Sequence, residues 1–441
     1  MHYSHYFNHY KDSVVTKIYL KQKNTDSVRT TPEQVMELLR TIHRHTGGMH
    51  QIAYLVGWQY AGHDSNYPSW AVPGKHCRSV FSDDPRESLR AMMREARRTY
   101  NADLSLHINM NDAYQTSPLW EEYLAQDLLV RNAEGELHKG GIWDGEQSYA
   151  VSHAREFHTG YAQKRILALL ELLPELRETK TIHIDSFFAS ASPFHGITLD
   201  DDIAALNEIV DFWHAQGIDV STEFLPSFRH IGYFPHVWHS NLNEMERLHW
   251  PPDIICGGDA QWNAVRGADL YTADGWMQRF VSPSGGTLYP EAWGVDPGYD
   301  LEGKTLKNMP QFLDDLFMKT LSARYLNRFH PLRHTVTTEE YCVEYSGNVR
   351  SIVSLKDQRL HVYENERCVT DDSGVTLELL PGMVHVYRRN GGTAEIRLPE
   401  SWNERTSVTA ELPTNGTSKV FPVQSGCISL ELPPNGIALL K

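Results

Sequence analysis

Two carboxylates in this 441-residue sequence each close a short β-rich run. Asp185 ends Thr181-Ile182-His183-Ile184-Asp185, and Glu223 ends Asp219-Val220-Ser221-Thr222-Glu223. They lie roughly 40 residues apart, the spacing of successive βα units. A lone carboxylate at a strand end often serves an arginine or a backbone amide. Two on successive units point to paired acid–base work. Cleavage of a glycosidic bond needs such a pair: one carboxylate attacks or screens the anomeric carbon, and the other, held protonated, gives a proton to the leaving oxygen. A separation of about 5–5.5 Å goes with retention and about 6.5–9.5 Å with inversion.

Other chemistry-bearing residues cluster in the same part of the chain. The stretch from Gly57 to Trp70 follows the first strong strand pattern and carries Trp58, Tyr60, His63, Asp64, Tyr67 and Trp70. His63 and Asp64 are expected to bind sugar hydroxyls, with an aromatic face such as Trp58 or Tyr60 covering a ring. The bland alternative is a long ordered loop whose Asp and Asn residues make turns. His107 and Asn109, which close the next run, and Trp143, which with Asp144 precedes another, are further expected substrate-binding residues. The 23 histidines invite a metal reading, but no HExxH and no paired Cys/His spacing occurs. His107, His153 and His183 could converge only in three dimensions. The absence of Gly-x-Ser-x-Gly disfavours a serine nucleophile elbow. Neither a metal nor any other cofactor is expected.

The elements that must position these residues are legible as alternation. From about 31 to 328, β-rich runs at 51–57, 103–108, 148–152, 181–186, 219–223, 253–256 and 287–290 alternate with helical patterns, and a further strand at 14–20 precedes them. Helices are expected at 32–45 with Thr31 as cap, 85–100 with Asp84 as cap, 154–173, 199–216 and 309–327. No GxGxxG or GxxxxGK[ST] follows a strand, which disfavours a nucleotide-binding open sheet. After about 335 the helical period gives way to short alternating runs at 349–355, 358–364, 375–380 and 383–388, separated by turn residues. The expected architecture is α/β: a (β/α)8 TIM-type barrel over 1–330, including an N-terminal extension, followed by a C-terminal antiparallel β-sandwich domain over 331–441.

The charge balance narrows the partners. With 41 Lys and Arg against 56 Asp and Glu, the formal charge is -15, the wrong sign for a phosphate backbone, so nucleic acid is not an expected partner. Five scattered cysteines form no CxxC pair, and no run of about 18 apolar residues occurs, so a cytoplasmic protein without a membrane partner is expected.

The Gly62-His63-Asp64-Ser65 loop with Tyr67-Pro68, the run Leu106-His107-Ile108-Asn109 followed by Ala113-Tyr114, and the run from Asp127 to Gly135 together resemble the catalytic barrel of glycoside hydrolase family 101, the endo-α-N-acetylgalactosaminidases. The Ile-Asp strand end followed by Ser-Thr-Glu-Phe is similar too, and the likeness spans about residues 50 to 330. The resemblance implies a retaining α-glycosidase acting on GalNAc-type O-glycans or glycopeptides. Asp185 falls at the family's nucleophile, Glu223 at its acid/base, and His63 and Asp64 at sugar-binding positions. Trp143 resembles one ring of a Trp-x-Trp pair that covers the bound sugar, and Gly141 stands where the other would be. A barrel that binds carbohydrate without cleaving it, and an exo-hydrolase of the α-galactosidase or α-glucosidase type, are the alternatives.

Overall fold

The structure is a computed structural model that describes residues 5–224, 228–239, 250–259, 301–302, 305–306, 309–354 and 360–441. Its first part is built on seven parallel strands in chain order: β1 (Val14–Tyr19), β2 (Gln51–Val56), β3 (Ala102–Asn109), β4 (Thr181–Asp185), β5 (Asp219–Phe224), β6 (His236–His239) and β7 (Cys256–Asp259). The sheet is curled. The Lys17 ammonium on β1 lies 3.3 Å from Glu223 on β5, and the Tyr54 hydroxyl on β2 lies 2.7 Å from that of Thr181 on β4. Residues that far apart in strand order can meet only across a concave interior. This arrangement fits a TIM-type barrel.

The curl follows from the period-2 pattern of the strands. Leu104, Leu106 and Ile108 of β3, Ile182 and Ile184 of β4, and Val220 of β5 are buried outward against α1 (Pro32–His45), α2 (Pro85–Tyr100), α3 (Tyr161–Leu172) and α4 (Leu199–Ala215), in one continuous core. The alternate residues are mostly polar and point into the concave side: Ser105 and His107 of β3, Thr181, His183 and Asp185 of β4, and Asp219, Ser221 and Glu223 of β5, all buried. Tyr10, Val15, Ile52, Tyr54 and Cys256 make a small apolar floor inside. Above it the interior is hydrogen-bonded: Ser105 Oγ donates to the Thr181 carbonyl at 2.5 Å, and His183 Nδ1 pairs with Ser221 Oγ at 2.9 Å.

The helices start where their caps lie. Thr31 and Gln34 form a capping box on α1, and Asp84 accepts from the Arg86 and Glu87 amides at the start of α2. The pattern at 154–173 is broken by Gly160, at φ +85°, into a short helix His153–His158 and α3. That at 309–327 passes from Met309–Asp314 through a π-helical turn, Asp315–Leu321, into Ser322–Leu326.

Two expectations for the strands are corrected. Residues 148–152 are not a parallel strand of the barrel. Glu146–Ala150 pairs antiparallel with Lys139–Trp143 and with Asp112–Tyr114 in a three-stranded side sheet. Asp144 and Gly145, both at positive φ, make the hairpin turn that dictates this. The strand expected at 253–256 begins only at Cys256, because Pro251–Ile254 is a turn closed by the Ile254 amide. Sequence reasoning also passed over β6, whose four residues are too short to show a period. The strand expected at 287–290 lies outside the described residues.

From Pro331 onward the chain is antiparallel β. A ten-stranded sheet runs from Pro331–Val336 to Thr417–Pro422 in space, and a separate ribbon, Gly392–Arg397 with Cys427–Leu432, covers only part of it. The two layers enclose Val384, Val386, Ile396, Trp402, Ile428 and Leu430. The expected sandwich is therefore confined to this end. The rest of the large sheet packs on the π-helical turn, where Phe317 stacks on Tyr387 at 5.1 Å and Arg389 grips both Asp314 oxygens. Among the described residues no helix is long and apolar enough to cross a membrane.

Asp219, at the amino end of β5, closes the floor by accepting the Phe7 and Asn8 amides at 2.9 and 3.0 Å. Burial raises its pKa to about 7, against the opposing pull of those two amides. A carboxyl raised in the folded state adds stability that is complete below about pH 4 and is lost as pH rises through about 7. Asp219→Asn, whose amide oxygen can still accept both bonds, is expected to match the parent near pH 4. It should exceed the parent by up to about 4 kcal/mol at pH 8, read from urea unfolding at the two pH values. A stability gap independent of pH would contradict this.

Candidate active site

The carboxyl ends of β1 to β5 converge on one buried polar group. Asp185 and Glu223 end adjacent strands, and their carboxyls are hydrogen-bonded to each other. Ser186, at φ +43° just past β4, places its hydroxyl 3.4 Å from Asp185 Oδ1 and 3.3 Å from Glu223 Oε2. On the other side of Glu223, Lys17 Nζ lies 3.3 Å from Oε1 with no exposed surface. Burial holds the Asp185 carboxyl well above the usual carboxylate range. The charge of Glu223 and their shared hydrogen bond add to this, Lys17 opposes it, and Asp64 adds a smaller push.

Three imidazoles line the wall. His107 Nε2 lies 3.7 Å from Asp185 Oδ1, and the ring packs on His183 at 4.9 Å and edge-on to His63 at 5.3 Å. Burial pushes the His107 pKa well down, helped by the charges of Lys17 and the neighbouring histidines, so the ring is neutral. His63, His107 and Asp185 have donor atoms within 4.8 Å of one another, close enough for a metal ion. His153 does not join this cluster. It starts a helix and bonds Asp202 at 3.0 Å, while Asp202 also accepts the Ala154 and Ser190 amides and so fastens the loop that follows Asp185.

The loop after β2 is laid across the extension of β1. The His63 amide donates to the Lys21 carbonyl at 2.8 Å, and Gln22 bridges to His63 in parallel. This close approach requires glycine at 57 and 62. Both have positive φ, and a Cβ would lie 2.2 Å and 2.6 Å from the Lys21 oxygen. His63 and Asp64 are thereby set beside the carboxyl pair, 3.4 Å apart.

The aromatic residues of this loop are arranged differently from expectation. Trp58 has no exposed surface, and its indole N–H donates to the His107 carbonyl at 3.1 Å, so no ring face is open to a sugar. Tyr67 and Trp70 are buried too, with the Arg165 guanidinium 4.1 Å over Trp70. Tyr60 is half-buried and bonds Ser69 at 2.6 Å. Asn109 is likewise occupied: its side-chain oxygen accepts the Asn111 and Asp112 amides and its nitrogen donates to Asp112 Oδ2 at 2.8 Å. It shapes the turn after β3 and has no surface to offer a ligand. Trp143 is the reverse case, 48% exposed at the end of a hairpin strand. The hairpin tip is tied to the β1 extension by Gln22 and Asn24, which donate to the Asp144 side chain and carbonyl, and by Lys23 at 2.8 Å from Glu146.

Sequence reasoning missed Lys17 and Ser186. The signal for Lys17 was a lone lysine inside Val14-Val15-Thr16-Lys17-Ile18-Tyr19, where an exposed strand would alternate and a buried one would be apolar throughout.

Residues 2–245 match glycoside hydrolase family 101, described as endo-α-N-acetylgalactosaminidase. In shape the chain is similar to the α-N-acetylgalactosaminidase NagBb from Bifidobacterium bifidum. Its GalNAc complex aligns with a TM-score of 0.58 at 14% identity over 80% of this chain and 57% of that one. Its Gal-NHAc-DNJ complex aligns with a TM-score of 0.57 at 14% identity over 80% and 58%. The chain thus spans less than two thirds of that enzyme's length, and at this identity the likeness is one of fold. The sequence match covers more than half of the 441 residues and includes both carboxylates and the loop beside them, so the chain belongs to glycoside hydrolase family 101.

Proposed function

We propose that this protein is a retaining α-glycoside hydrolase acting on GalNAc-type α-linked sugars, with Asp185 as nucleophile and Glu223 as acid/base. The carrying observation is the contact between the two carboxyls, bridged by Ser186 at the ends of adjacent strands. Inversion needs room for a water molecule between sugar and base, and a pair this close favours direct attack by one carboxylate. In this reading Asp185 bonds to the anomeric carbon as Glu223 delivers its proton to the leaving oxygen. Glu223 then takes a proton from the water that releases the sugar.

The sugar-binding roles divide by what is free to act. His63 keeps a buried ring nitrogen, Nδ1, without a protein partner, and Asp64 is next to it, so these two are assigned to sugar hydroxyls. The open indole of Trp143 is assigned to cover a ring face. His107, neutral and against Asp185, steadies the nucleophile, while Trp58 and Asn109 hold the ends of the strands beside it. The choice of GalNAc rests on the family and on the sugar bound by the structural relative.

Asp185→Asn and Glu223→Gln are each expected to lower kcat/KM on an aryl α-N-acetylgalactosaminide by about 10²–10⁴-fold. Near-parental rates in either variant would remove that carboxyl from the mechanism. Proton NMR of the first product should show the α-anomer, and β-anomer appearing first would establish inversion instead. Turnover is also expected to be unchanged after dialysis against EDTA. A loss restored by a divalent metal would replace double displacement with metal-assisted hydrolysis.

A further inference from the structure

The catalytic reading requires a proton on Glu223 and a negative charge on Asp185. The described surroundings of the pair favour the opposite. Glu223 has the cation: Lys17 Nζ, wholly buried on β1, is 3.3 Å from Oε1. Asp185, on the far side of the pair, faces His107, neutral because of burial, and the further negative charge of Asp64.

We infer that Lys17 is a positioning residue that holds Glu223 ionised in the enzyme before substrate binds, so that the single proton of the pair rests on Asp185 and must cross to Glu223 before a glycosidic bond can be cut. This rests on the assignment of the two carboxyls under the proposed function. The crossing balances without any other reactant. The Asp185 O–H bond breaks along the existing hydrogen bond, the same proton bonds to Glu223, and Asp185 keeps the electron pair. Lys17, Asp185 and Glu223 together carry zero net charge before and after. A glycoside in the site would draw the proton across in two ways. Its glycosidic oxygen accepts from protonated Glu223, and the positive charge developing at its anomeric carbon stabilises ionised Asp185.

Among the described residues, the elements packed around the pair contribute charged or titratable groups to this balance. β1 brings Tyr19 beside Lys17, the loop after β2 brings His63, Asp64 and Tyr67, β3 brings His107, the side sheet brings Tyr114, β4 brings His183 and Asp185, and β6 brings His236. His236 is held neutral by burial and by the charges of Arg324 and Lys17. Lys17 is the ammonium in ion-pair contact with Glu223.

The test is a ¹³C-carboxyl NMR titration of the ligand-free full chain labelled at Asp and Glu, with the two resonances assigned through Asp185→Asn and Glu223→Gln. In the parent at neutral pH, Glu223 should give the chemical shift of a carboxylate and Asp185 that of a carboxylic acid. Lys17→Met keeps the length of the side chain and removes its charge, and should move the Glu223 ionisation up by about 1–3 pH units. Lys17→Arg should leave it near the parental value. A merely structural role would cost stability without shifting either titration. A protonated Glu223 beside an ionised Asp185 in the parent would overturn the inference, as would unmoved titrations in Lys17→Met. If Lys17→Met does not fold, the parent and Lys17→Arg spectra decide alone. The titration needs no turnover, so loss of the glycosidase reading through an active Asp185→Asn or Glu223→Gln would be seen separately.

Discussion

Two carboxyls in contact inside a sheet are tolerated only if a proton or a cation removes their mutual repulsion. At about 4 Å, unscreened like charges would cost on the order of 4 kcal/mol even at an effective dielectric near 20. Here the Lys17 ammonium lies 3.3 Å from Glu223, and burial together with the Glu223 charge holds the Asp185 carboxyl well above the usual carboxylate range, which favours its protonated form. The lysine can serve only if β1 and β5 face each other, so the ion pair demands the curl of the sheet. The curl in turn demands polar side chains that bond one another inside, as Ser105 does with the Thr181 carbonyl and His183 with Ser221.

The segment from Lys17 to Asn24 links the parts of the site. Lys17 meets the acid pair, Lys21 and Gln22 hold the loop that carries His63 and Asp64, and Gln22, Lys23 and Asn24 fasten the hairpin that carries Trp143. The strand that leads into it is nonetheless the least eye-catching in the sequence. Its chemistry is carried by one lysine, and its contacts lie up to two hundred residues away.

Much of the fold was legible because β3, β4 and β5 alternate, with polar residues on the concave side. Thr181-Ile-His-Ile-Asp185 and Asp219-Val-Ser-Thr-Glu223 show it plainly, and the chemistry sits at their ends. What failed to show was orientation and distance. Trp58, in the loop after β2, and Trp143, at the end of a hairpin strand, are the same residue type, yet one is sealed against the His107 carbonyl and the other stands open. Asn109 reads as a strand-end ligand, but two amides within three residues claim its oxygen, a local competition that commonly draws asparagine into turns. The 148–152 run has a strand pattern as good as its neighbours. Only the Asp144-Gly145 turn before it marks it as half of a hairpin.

The openness of Trp143 has a physical basis. The indole of Trp143 folds back over Gly141, where a Cβ would stand 2.4 Å from Cζ2 and 2.5 Å from Cε2. Any side chain at 141 would therefore lift the ring, so the Trp-x-Trp pair of the resembling family and the present ring position exclude each other. The glycine lets the indole lie flat, and the bonds from Gln22 and Asn24 to Asp144 fix the hairpin beneath it. One indole face covers roughly one pyranose ring. The same segment that supplies the cation to the acid pair thus sets the position of the surface assigned to the sugar, and a shift of that segment would disturb both together.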